Sequence, residues 1–82
     1  MSAQHAQAVF AAAHMAERRH QQHAAAINWR KLWQALNRAG FGWHQDAKGA
    51  RERMRDCILT ARHYRKGQRH YAAIAKVKGG AA

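Results

Sequence analysis

The chain has 82 residues, a single cysteine, no proline, and fifteen Lys and Arg against four Asp and Glu, a formal charge of +11 with histidines neutral. That length suits one domain and excludes two, and one cysteine excludes a disulfide framework. A charge excess of this size points to a polyanionic partner, because a surface built for solubility mixes both signs at a smaller net value.

The longest gently apolar stretch, Ala8 to Ala16, is mostly alanine and contains His14. It falls far short of the roughly 20 apolar residues a membrane span needs, and the N-terminus lacks the basic start and leucine-rich middle of a secretory signal. The expectation is a cytoplasmic protein with no membrane insertion.

Residues 3 to about 23, rich in Ala and Gln, predict a first helix whose best apolar line is Val9, Ala13 and Ala16. Its amphipathicity is weak, which suits a peripheral helix or an arm that orders on binding. A second helix is expected to start at Asn28 as N-cap, with Ile27 and Leu32 spaced as a hydrophobic staple. Trp29, Leu32, Trp33, Leu36 and Ala39 then recur on one face, and Gly40 supplies a stop. Phe41-Gly42-Trp43 is read as an aromatic plug between helices, with an exposed platform as the alternative.

Asp46 is a candidate cap for a third helix, from about Ala47 to Lys66. Its inward side is Ala47, Ala50, Met54, Cys57, Ile58, Ala61 and Tyr64. Gly67 is read as a stop or bend before a short fourth helix over Gln68 to Lys78, with Tyr71, Ile74, Ala75 and Val77 for packing. If Gly67 is merely tolerated inside a helix, three helices replace four. The predicted fold is therefore all-α, a compact three- or four-helix domain. It divides into residues 1–26 as N-terminal helix or arm, 27–78 as helical core with a basic face, and 79–82 as a flexible tail. A core this thin is often marginal alone, which makes a homodimer an option.

The cations are unevenly placed. Residues 46–82 carry ten basic and three acidic residues, against a net +1 over residues 1–26. On a helical projection Lys48, Arg51, Arg55, Arg62 and Lys66 gather beside the apolar face, with Arg69 joining them if the helix continues. Arg51, Arg55 and Arg62 are the expected central contacts, and Arg65, Lys66 and Arg69 form a second cluster. Such a stripe neutralises phosphates and releases counterions, which gives affinity without sequence information. A helix–turn–helix is considered, but the connection Phe41 to Gln45 is longer than the short turn of that motif.

Seven histidines invite a metal, yet no compact Cys/His framework appears: Cys57 and His63 are six apart, His63 and His70 seven. Four acidic residues do not suggest a metal-dependent nuclease, and no nucleophile–base pair stands out. The expectation is a non-enzymatic protein with no metal and no cofactor. It would bind double-stranded DNA as a regulator or architectural accessory factor, with RNA left open. The alternative is an inhibitor or adaptor that docks on an acidic protein surface.

Overall fold

The computed structural model describes residues 3–80. Two helices account for almost all of them: α1, Ala3–Arg38, and α2, Gln45–Gly80, each of 36 residues. The chain reverses between them over residues 39–44, so the helices pack antiparallel as one long hairpin measuring 61 × 14 × 13 Å. Its radius of gyration is 18.1 Å, where a globular chain of this length would give about 12 Å.

The fold thus has two helices, not the three or four expected, and it is a rod rather than a compact domain. The two extra breaks fail for different reasons. Around residue 23 the chain reads His23-Ala24-Ala25-Ala26, the strongest helix-forming composition available, and no proline interrupts it. Asn28 therefore sits inside α1 and caps nothing. The position between residues 26 and 27, expected to separate arm from core, likewise falls within α1.

Gly67 lies inside α2 for a different reason. A Cβ at this position would come within 3.2 Å of the Met15 Sδ, so the glycine marks where the two helices approach closely rather than where one ends. At the C-terminus α2 continues through Gly79 and Gly80. The last two residues of the expected flexible tail, and the side chain of Val77, lie outside the described residues.

Buried and half-buried side chains run along α1 at His5, Ala8, Ala12, Met15, Arg19, Gln22, Ala26, Trp29, Trp33 and Leu36. The steps alternate three and four, the seven-residue repeat of a coiled-coil seam. On α2 the same alternation gives Ala47, Ala50, Met54, Cys57, Ala61, Tyr64, Gln68, Tyr71 and Ala75. The contacts fix the register. Arg51 stacks on Trp33 and Arg53 on Trp29, while Gly67 faces Met15. Moving fourteen residues back from Trp29 to Met15 moves the partner fourteen forward.

This register matches large side chains with small ones. Trp33 and Leu36 come level with Ala50 and Ala47 near the turn, and Tyr71 comes level with Ala12 toward the open end. Toward both ends a bulky residue finds an alanine across the seam, while at mid-length Trp29 comes level with Met54 and Tyr64 with Arg19. The inward set expected for α2 holds, apart from Ile58, which is exposed. The line expected for α1 does not: Val9 and Ala13 face outward, and Ala8 and Ala12 take the seam.

The enclosed core is small. Among the described residues only Ala8, Ala26, Ala47 and Ala50 are buried, and no large side chain is fully enclosed. Phe10, Leu59 and Trp43 are 76%, 59% and 70% exposed. Trp43 therefore plugs nothing, because the turn projects past the helix ends and no third helix covers it.

The turn is closed by hydrogen bonds that the helix ends would otherwise lack. Gly40, at φ 85°, donates its N–H to the Asn37 carbonyl at 3.1 Å, and the Phe41 N–H donates to the Leu36 carbonyl at 2.8 Å. This pair is the Schellman arrangement, and Gly40 is the stop expected of it. At the start of α2 the cap is His44 rather than Asp46. The Asp46 N–H donates to His44 Nδ1 at 3.1 Å. The Asp46 carboxylate also approaches the same atom at 3.5 Å. Asp46 places negative charge in the first turn, where the helix dipole favours it.

Candidate nucleic-acid interface

The seven-residue repeat that forms the seam also sorts the cations of α2. Beside the seam, on one flank, steps of three and four select Lys48, Arg51, Arg55, Ile58, Arg62, Arg65, Arg69, Ala72 and Lys76. Seven of these nine positions are Lys or Arg, and all seven cations are exposed. At about 1.5 Å per residue the row is roughly 42 Å long.

Six of the seven site residues expected from sequence lie on this row: Lys48, Arg51, Arg55, Arg62, Arg65 and Arg69. Lys66 falls outside it, further round α2 on the face turned away from α1. Lys76 belongs to the row and was missed: the expected stripe extends past Gly67 only as far as Arg69, on the condition that the helix continues there. Once Gly67 is helical, the spacing continues unbroken.

No Lys or Arg of the row forms an ion pair with a carboxylate among the described residues, where the one recorded acid–base approach is that of His44 and Asp46. Arg51 has another neighbour: its guanidinium carbon lies 5.7 Å from the Trp33 ring centroid. At that distance the ring face attracts the cation without neutralising its charge. Arg53, across the seam on the other flank, sits 4.8 Å from Trp29 in the same way.

Across the groove from the row, α1 contributes further basic side chains. Arg19, His20 and His23 share one groove with Ile58, Ala61, Arg62 and Arg65. Residues so far apart in sequence are brought together by the register of the hairpin, a signal that a linear reading does not contain. A second groove, near the turn on the opposite flank, is lined by Trp29, Leu32, Leu36, Asp46 and Arg53 among others.

Of the three rings near cations in sequence, Tyr64 and Tyr71 are half-buried along the seam, whereas Trp43 at the turn is exposed. Cys57 is also a half-buried seam residue. Among the described residues no group of three or more His, Cys, Asp or Glu is placed to hold a metal ion, and no helix is long and apolar enough to cross a membrane. Comparison with protein-family models, with curated proteins and with solved structures gives no match.

Proposed function

We propose that this helical hairpin binds double-stranded DNA through its phosphate backbone, as a non-enzymatic architectural accessory factor. The observation that carries this reading is the straight row of seven exposed cations on one flank of α2, none of them neutralised by a carboxylate among the described residues. A duplex rises about 3.4 Å per base pair, so a row of about 42 Å matches the length of roughly a dozen pairs.

The position of the row favours backbone contact over groove reading. A lone helix of 10–12 Å diameter fits a major groove about 12 Å wide. Here Arg51 and Arg65 adjoin the seam and the other five cations stand further round α2, so a groove that took up the row would have to admit the flank of a two-helix hairpin in place of a lone helix. Contacts to phosphates carry affinity with little sequence information, which favours the architectural role over that of an operator-specific regulator. A rigid straight row also suits a duplex better than a flexible single strand; Tyr64 and Tyr71 are half-buried, and the exposed rings of Phe41 and Trp43 sit at the turn, beyond the end of the row.

The second reading is an acidic protein partner. It is favoured by Ile58, which interrupts the cation row, and by Ile27 on the facing flank of α1, 36% and 43% exposed. Equilibrium binding of the whole chain to duplex DNA, single-stranded DNA and RNA across a salt series separates these outcomes. The expected order places duplex first, with similar affinities for unrelated sequences. No saturable binding to any nucleic acid at moderate salt would overturn the proposal and leave the protein-partner reading.

A further inference from the structure

We infer that the groove between α1 and α2 at mid-length is a phosphate-binding site in its own right, built by Arg19 from one helix and Arg62 and Arg65 from the other. His20 and His23 stand at its rim, and Ile58 and Ala61 form its apolar floor. The inference goes beyond the cation row, since the groove takes a phosphate group whether a polymer or a small molecule carries it.

Arg19 is the starting point. It occupies a seam position that the repeat otherwise fills with residues such as Ala12, Met15 and Ala26, and it is half-buried there. A charged group in such a position costs desolvation unless something pairs with it. No carboxylate lines the groove, and Arg19 makes no ion pair among the described residues. The side chains gathered around it are two more arginines. Arg19, Arg62 and Arg65 line the same groove, so their like charges oppose one another in the free protein and an entering anion relieves them together.

Phosphate fits this arrangement better than a simple anion. Each guanidinium offers a planar fork of N–H donors that matches two phosphate oxygens, so three forks can surround one group from both walls. Ile58 and Ala61 border these side chains and limit the directions from which water competes for them. The groove encloses about 530 Å³, roomy enough for a diphosphate or for one backbone phosphate with its flanking sugars.

The test is a titration of the full chain, by calorimetry, with inorganic pyrophosphate and separately with a short DNA duplex. Thermal melting is followed with and without pyrophosphate. Wild type is compared with Arg19→Met, with the surface pair Arg62→Gln/Arg65→Gln, and with Arg18→Gln. The last removes one charge from α1 outside the groove. Saturable one-to-one pyrophosphate binding is expected, together with a rise in melting temperature. Arg19→Met and the α2 pair should each weaken it by roughly tenfold or more, and Arg18→Gln should not.

Arg19→Met should also melt higher than wild type in the absence of ligand, because a thioether suits the seam better than an unpaired cation. A purely structural arginine would do the reverse. If Arg19→Met weakens pyrophosphate and duplex alike, the groove holds a nucleic-acid phosphate. If pyrophosphate alone suffers, the natural ligand is a small phosphorylated molecule, and the row on α2 binds DNA without the groove. Either result supports the site. Non-saturating pyrophosphate binding, or equal losses in Arg18→Gln and Arg19→Met, would overturn it.

Discussion

The cation row makes a quantitative claim about salt. If all seven side chains from Lys48 to Lys76 meet phosphates, log K for duplex DNA should fall against log salt with a slope near −0.9 per contact, or about −6 in total. Between 50 and 200 mM salt that is a loss of roughly 10⁴-fold in affinity. Replacing Arg51, Arg55 and Arg62 together with Gln removes three contacts, so the slope should drop to about −4 and the loss over the same range to roughly 10²-fold. At 150 mM salt the triple variant should bind about 100-fold more weakly than wild type.

Fluorescence anisotropy with a labelled duplex of sixteen or more base pairs gives both slopes, with far-UV circular dichroism to check that α2 remains helical. All three residues are exposed, so the fold should tolerate the change, although Arg51 gives up its stacking on Trp33. A triple variant with undiminished slope and affinity would refute the reasoning, because the cations would then be spectators. An equally large effect from neutralising Arg30, Lys31 and Arg38 on α1 would refute it too, by showing that net charge matters and placement does not.

Four further expectations concern stability and can be read from thermal or denaturant melts. Gly49→Ala should stabilise the protein by about 1 kcal/mol, since Gly49 lies in α2 with nothing within 4 Å of an added Cβ. Gly67→Ala should gain less, because its Cβ must displace the Met15 thioether; equal gains at both sites would mean the helices do not approach closely there. Gly40→Ala should destabilise by about 1–2 kcal/mol, since a side chain is forced to a φ of 85°. Gln68→Leu should stabilise by about 1 kcal/mol or more, as the Gln68 Oε1 is buried without a hydrogen-bond partner. A lower melting temperature for this variant would mean that the amide is paired after all.

A pair of helices whose buried residues, among those described, are four alanines has little margin, and the positions it spends on polarity are informative. The seam could hold leucine where it holds Arg19, Gln22 and Gln68. Polar residues at such positions specify register and orientation at a cost in stability. Arg19 has in addition the groove that α2 closes around it, which gives its cost a second return in anion binding.

The amino-acid sequence by itself determined the helical class, the stop at Gly40 and most of the inward face of α2. These depend on local composition, on the backbone freedom of one glycine, and on a periodicity strong enough to survive in isolation. It also marked six of the seven cations of the row, because their spacing lies within one helix. The number of helices was beyond it. Whether Gly67 ends a helix or admits a neighbour depends on Met15, fifty-two residues away, and whether Asn28 caps depends on alanines that prefer to continue the turn. The groove shared by Arg19, Arg62 and Arg65 was decided only by tertiary structure, since the register between two antiparallel helices is set by which large side chains find small ones across the seam.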